Sequence, residues 1–227
     1  MARDRMPRLE TASDEIAVAQ SACDLHAVHA LDLRRAGPRP VELLRLALLH
    51  GEPIELYRTN LSANHLEAGV GTGFFIDRAG GVGFDRLALL DINRHCLDRA
   101  ARRLARFAPE LYEVNLLAPI ELDLPPFASV GLTYVLHCVP GRMEDKLVAV
   151  DHLRPLTRKD AVLFGVTILG RGIAPNFAAR ALLDLYNAKG VFNNRDDDLD
   201  SLSRGLRQRF DAVEIVTQGL VAMFRAT

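Results

Sequence analysis

From residue 64 onward the chain alternates between two hydrophobic periods. Short apolar runs bounded by glycine, proline or acidic residues read as strands, and stretches with apolar residues three or four apart read as helices. Strands are predicted from 64, at 86–90, 112–117, from 130, and at 161–168, and helices at 74–79, 94–107, 143–153, 176–189 and 199–210. The strand runs are apolar on both faces, as expected where helices cover a sheet on either side. The chain then ends on two alternating runs, 213–217 and 220–225, joined by Gln218-Gly219, which is a hairpin signal. Alternating strands and helices with a terminal hairpin predict an α/β doubly wound sheet with one antiparallel pair at its end.

The first 60 residues are different. Residues 1–12 are polar. Ser13-Asp14-Glu15 starts a helix that carries Ile16, Ala19, Ala22, Leu25, Val28 and Leu31, and Gly37-Pro38-Arg39-Pro40 ends it. A second helical segment at 41–49 is broken by Gly51-Glu52-Pro53. We divide the chain into an N-terminal helical extension, 1–60, and an α/β domain, 61–227. The extension either covers the sheet, as a lid or an edge, or forms a homodimer contact.

Composition narrows the class of partner. The 227 residues are 49% hydrophobic and 25% charged, with a formal net charge of -1. That is a globular composition without general attraction for nucleic acid or an anionic membrane. No apolar run approaches the roughly 20 residues that span a bilayer, and the N-terminus lacks a signal-peptide core, so a cytoplasmic location is expected. Cys23, Cys96 and Cys138 are widely spaced and contain no C-x-x-C, which suggests neither a disulfide framework nor a zinc site. The run Arg195-Asp196-Asp197-Asp198-Leu199-Asp200 concentrates carboxylates, but it immediately precedes a helix, where aspartates cap and complement the dipole. No metal is expected.

The chemistry concentrates at His65-Leu66-Glu67-Ala68-Gly69-Val70-Gly71-Thr72-Gly73. Three alternate glycines between a strand and a helix allow a sharp turn and close approach of a ligand to the backbone. The spacing G-x-G-x-G differs from the dinucleotide fingerprint G-x-G-x-x-G. Glu67 would repel a phosphate there but could hold an ammonium group. Asp91 falls 22 residues after Gly69, at the tip of the second strand, where a carboxylate can accept both ribose hydroxyls. Its other possible role is as a helix cap, which Asn93 could fill alone.

The combination E-x-G-x-G-T-G resembles motif I of the class I S-adenosylmethionine-dependent methyltransferases, whose cofactor has an amino acid end and an adenosine but no phosphate. The resemblance extends over residues 61–227 and implies a Rossmann-like seven-stranded sheet of order 3-2-1-4-5-7-6, strand 7 antiparallel, with S-adenosyl-L-methionine as cofactor. It implies that Glu67, Gly69, Val70, Gly71, Thr72, Gly73, Asp91 and Ile92 contact that cofactor. Asn115 and Leu116 occupy the adenine position. Asn115 stands where the family commonly has aspartate, but its amide oxygen can accept the same hydrogen bond.

The run Thr133-Tyr134-Val135-Leu136-His137 resembles the family's strand end beside the reactive methyl. Tyr134 is thereby expected at the cofactor and His137 near the chemistry, as a general base, a cofactor contact or a satisfied backbone neighbour. Phe177, Tyr186 and Asn187, in the insertion between strands five and six, are candidates for the acceptor pocket, with core packing as the alternative. The expected activity is methylation of a small organic acceptor, as in natural-product metabolism. The alternatives are a macromolecule methyltransferase and a silent cofactor- or partner-binding module. An NAD-linked oxidoreductase is disfavoured by the early third glycine, Glu67 and the terminal hairpin.

Overall fold

The computed structural model describes residues 52–81, 83–172 and 177–227, without the side chains of residues 177–179 and 182. The helices expected at 13–31 and 41–49, and any dimer contact through them, lie outside the described residues. Seven strands form one sheet: β1 (Asn64–Ala68), β2 (Arg86–Asp91), β3 (Glu110–Glu113), β4 (Phe127–Thr133), β5 (Thr157–Ile168), β6 (Val213–Gln218) and β7 (Val221–Ala226). Their order is β3-β2-β1-β4-β5-β7-β6, with β7 antiparallel to both neighbours and the others parallel. This is the expected topology.

The helices are α1 (Glu52–Asn60), α2 (Phe74–Ala79), α3 (Arg94–Arg103), α4 (Met143–Lys146), α5 (Val148–Leu153), α6 (Phe177–Ala188) and α7 (Leu199–Arg207). The two-residue period of the strands divides the core in two. On β2, Leu87 and Leu89 join Tyr57 of α1, Phe75 of α2 and Leu97 of α3 on one face. Ala88 and Leu90 join Met143 of α4, Val150 of α5 and Leu206 of α7 on the other. The chain therefore winds to opposite sides from β1 and β4, and this leaves a crevice at their carboxyl ends, where open α/β sheets bind ligands.

Several boundaries differ from the sequence reading. α1, which begins at Glu52-Pro53, was not foreseen: proline is tolerated in a first turn, and Glu52 and Glu55 there suit the dipole. β3 begins two residues earlier than expected and stops before Asn115. Its register places Glu110 opposite Ala88, and Arg86 grips Glu110 at 2.9 Å. β5 begins at Thr157, four residues before the expected start, and Thr157 pairs with Phe127 across a bulge. The helix expected at 143–153 is divided into α4 and α5, and that at 94–107 ends at Arg103 in a tighter turn, 105–107.

The arginines of α3 are largely solvated, and Arg94 pairs with Asp98 at 3.0 Å. Cys138 is a free buried thiol, whereas Cys96 is disulfide-bonded, a departure from what the cysteine spacing suggests. No helix among the described residues is long and apolar enough to cross a membrane.

Candidate active site

The glycine loop connects β1 to α2. Gly69, Gly71 and Gly73 have φ of 70°, 54° and 69°, a region L-residues adopt at a cost, so each glycine of the motif is used for its backbone. At Gly69 the requirement is also steric, since a Cβ there would lie 2.2 Å from Cγ2 of Val135. Gly73 fits against Leu104 and Ala100, which brings α2 close to α3.

Asp91 ends β2 directly beneath this loop. Its two carboxylate oxygens accept the N–H groups of Gly71 at 3.2 Å and Asn93 at 2.9 Å, and each retains lone pairs for a further donor. The helix cap is supplied by Asn93, whose side chain accepts the N–H of His95. Asp91 instead ties the loop to the strand tip. Burial raises its pKa from 3.8 to about 6, against the lowering effect of the Asn93, Gly71 and Ile92 N–H groups.

Glu67 is 4% exposed, and its carboxylate is fixed from two sides. The hydroxyl of Tyr57, on α1, donates to Oε1 at 2.5 Å, and Nε2 of His65 lies 3.0 Å from Oε2. On its far side the His65 ring meets the Ser129 hydroxyl through Nδ1 at 2.8 Å. The carboxylate lies so close to β4 that a Cβ on Gly131 would stand 2.1 Å from Oε2. Glu67, Gly69, Val70, Gly73, Phe75, Ile76 and Thr133 line a small recess at the loop.

Tyr57 and Ser129 did not feature in the reading of the sequence, and His65 entered it only as the start of the strand, without a role. One signal was present: His65 and Glu67 are two apart on a buried strand and so share a face. Burial drives the Tyr57 phenol well above its ordinary pKa, with the adjacent Glu67 adding to the shift.

Asn115 follows β3. Its side-chain oxygen accepts the N–H of Leu117 at 2.9 Å, closing a turn around Leu116, which is buried with Leu66, Leu90 and Leu136. The remaining lone pair and the NH2 group stay available to a ring with both donor and acceptor edges.

Beyond β4 the backbone makes an unusual turn. Tyr134 has φ 59°, rare for a residue other than glycine, and its N–H donates to Val166 O at 2.7 Å. An aromatic series runs outward from it. Tyr134 packs at 5.7 Å from Phe75 and at 5.8 Å, edge-on, from His137; His137 meets Phe192 edge-on at 4.7 Å; Phe192 lies 5.0 Å from Tyr186 of α6. His137 is 2% exposed, and its carbonyl accepts the N–H of Asn193 at 2.7 Å. Burial raises the Tyr134 phenol pKa, keeping it protonated.

The candidate acceptor residues separate. Tyr186 joins the aromatic series. Asn187 commits its amide to the protein: Nδ2 donates to Leu183 O and Asn194 Oδ1, each at 2.9 Å, and Oδ1 accepts the Asn194 N–H at 3.2 Å. The side chain of Phe177 lies outside the described residues. In the acidic run, Asp198 caps α7 by accepting the Ser201 N–H at 2.7 Å, as a capping aspartate should. Asp197 does not cap; it is buried in an ion pair with Lys146, a residue the sequence reading did not single out. No group of three His, Cys, Asp or Glu among the described residues converges as metal ligands do.

These residues suit S-adenosylmethionine better than a dinucleotide. Residues 67–73 contain a carboxylate and no cation to meet a phosphate, while Asp91 keeps acceptor capacity beside a glycine backbone open to a ribose. No protein-family model matches the chain. It is 36% identical over 173 residues to demethylluteothin O-methyltransferase of Streptomyces thioluteus, covering 76% of this chain and 75% of that one. It is likewise 36% identical over 179 residues to methyltransferase ctvB of Aspergillus terreus, covering 76% and 78%.

Among solved structures, the DhpI–SAH complex superposes with a TM-score of 0.62 at 13% identity, covering 94% of this chain and 96% of that one. The magnesium protoporphyrin IX methyltransferase of Synechocystis with bound SAH gives 0.61 at 15%, covering 94% and 98%. A glycine cradle without a phosphate site, a sheet ending in the antiparallel β7, and relatives matched over three quarters of the chain agree: this protein belongs to the class I S-adenosylmethionine-dependent methyltransferases.

Proposed function

We propose that this enzyme methylates a hydroxyl group on a small, planar, conjugated organic molecule, with His137 as the base. The observation that supports it most directly is the aromatic series Tyr134, His137, Phe192 and Tyr186, which leads from the cofactor loop toward the insertion between β5 and β6. Flat conjugated acceptors pack well on such rings, by offset or edge-on contacts. The names of relatives agree, since one acts on demethylluteothin and another belongs to a physcion biosynthesis cluster.

The bound cofactor supplies a methyl group already activated by its sulfonium. The chain's residues hold and orient. Glu67, fixed by Tyr57 and His65, holds the cofactor's ammonium, Asp91 accepts the ribose hydroxyls, and Asn115 with Leu116 meets the adenine. Val70, Thr72 and Ile92 complete the contact surface around the loop. Tyr134 and Phe192 exclude water around His137. A phenol has a pKa near 10 and remains largely protonated at neutral pH, so His137 removes the acceptor's proton as the acceptor oxygen is aligned. Tyr186 lines the acceptor side, and Asn187 supports it through Asn194. Residues 1–60 act as a lid, tied to the cofactor side through Tyr57 of α1.

The test is a mass-spectrometric screen for products heavier by one methylene, using purified enzyme, cofactor and a panel of phenols, enols and amines. Transfer to phenols or enols with a pH profile that is lost in His137→Gln is expected, with a rate loss on the order of 10²–10⁴. Amine-only transfer, or unchanged turnover of His137→Gln across pH, would overturn the proposal.

A further inference from the structure

Lys146, at the end of α4, is fully buried, a rare condition for a lysine. Its ammonium lies 2.6 Å from Asp197 Oδ2 and 2.6 Å from the carbonyl of Asn193. Burial lowers the Lys146 pKa and raises that of Asp197 to about 6, each opposed by the charge of its partner. Removing two charges from water commonly costs more than their attraction returns, and an apolar pair of similar volume often holds a fold as well or better. Stability alone therefore explains this pair poorly.

What the pair holds is specific. Asn193 accepts from Lys146 through its carbonyl and donates through its N–H to the carbonyl of His137 at 2.7 Å. The preceding residue, Phe192, carries the ring that meets His137 edge-on. On the other side of the loop, Asn194 reaches back to Ile168 O at 2.8 Å, and a Cβ on Gly170 would stand 1.9 Å from Asn194 O. The loop is thus clamped from α4 and from the end of β5, with Phe192 and His137 between the clamps. The hydrogen bonds of the Lys146 ammonium end on residues 193 and 197, not on the cofactor loop or Asp91.

We propose that the Lys146–Asp197 pair is a positioning device for the acceptor side of the reaction. Through Asn193 it fixes Phe192 against the His137 imidazole and leaves cofactor binding alone. The inference rests on the reading that the acceptor is bound beside His137.

The test compares wild type, Lys146→Met, and the double variant Lys146→Met/Asp197→Leu, which removes both charges while keeping similar volume. Three quantities are measured: the thermal midpoint, the Kd for adenosylhomocysteine, and the His137 ring signal in ¹³C-histidine NMR, assigned with His137→Gln. The single variant loses stability because Asp197 is left without its cation. The double variant recovers the midpoint and binds adenosylhomocysteine within twofold of wild type, yet its His137 signal moves or splits. Turnover of whichever acceptor the screen identifies falls at least tenfold, mainly in kcat.

An unmoved His137 signal with wild-type turnover in the double variant would overturn the proposal, as would a matching loss of adenosylhomocysteine affinity. Should the double variant not fold, Phe192→Leu replaces it: it removes the ring contact but keeps the ion pair, and an unmoved His137 signal there is equally fatal. The proposals fail separately. Intact turnover in His137→Gln removes the base but leaves the NMR displacement to be read, whereas an impaired His137→Gln beside an unaffected double variant removes only the positioning role.

Discussion

If Asp91 holds the ribose as proposed, cofactor affinity depends on pH in a way that can be calculated. Its carboxyl is 8% exposed, and burial raises its pKa from 3.8 to about 6. Only the ionised form accepts from both ribose hydroxyls without turning a donor toward them. With a pKa of about 6 the ionised fraction falls about tenfold between pH 7 and pH 5. The Kd for adenosylhomocysteine, measured by calorimetry, should accordingly be flat above about pH 7 and weaken about tenfold by pH 5.

Stability of the ligand-free protein moves the other way. The folded pKa lies above the unfolded one, so the folded state binds the extra proton. The stabilisation is complete below about pH 4 and is lost as pH rises through 6, amounting to about 3 kcal/mol. Asp91→Asn should remove the pH dependence of binding and, by losing two charge-assisted hydrogen bonds, weaken affinity on the order of 100-fold at pH 7. A wild-type Kd that stays constant from pH 7 to 5, or a slope that survives in Asp91→Asn, would refute the reasoning.

Three further substitutions test the cradle. Gly69→Ala must take a positive φ and place its Cβ against Val135, so it should cost about 2 kcal/mol or more and lower the thermal midpoint by roughly 4–8 °C. A midpoint within a degree of wild type would contradict it, and Val135→Ala should relieve the steric part alone. Gly131→Ala lies on a strand and strains no backbone, but its Cβ would displace the Glu67 carboxylate. We expect adenosylhomocysteine binding to fall at least tenfold, and unchanged calorimetric affinity would show that Glu67 is not required where it stands. Tyr57→Phe leaves one buried Glu67 oxygen without its donor, and a loss of about 1–3 kcal/mol is expected from urea denaturation midpoints; no change would mean that water replaces the hydroxyl.

Much of the fold was legible because the information is local. The alternation of periods places six of the seven strands to within a few residues, and the pattern at 213–225 identifies the antiparallel hairpin. β3 was displaced because its residues are only half buried, so its register follows from Arg86 and Glu110 on neighbouring strands and not from its own apolar pattern. The helix that opens at Glu52-Pro53 was missed for a related reason: proline breaks a helix interior but opens a first turn, and sequence spacing does not distinguish the two.

The chain by itself determined the glycine loop, the carboxylates at 67 and 91, and the strand-end histidine, since each depends on residue type at a fixed distance along the backbone. Tertiary structure alone decided which groups surround them. Tyr57 reaches Glu67 from ten residues away, Ser129 reaches His65 from 64 away, and Lys146 finds Asp197 across 51. Those contacts arise where α1 meets the end of β1, where β4 packs beside β1, and where the loop after α6 folds back onto α4. No local period records them, because a hydrogen bond depends on side-chain positions that only the packed sheet fixes.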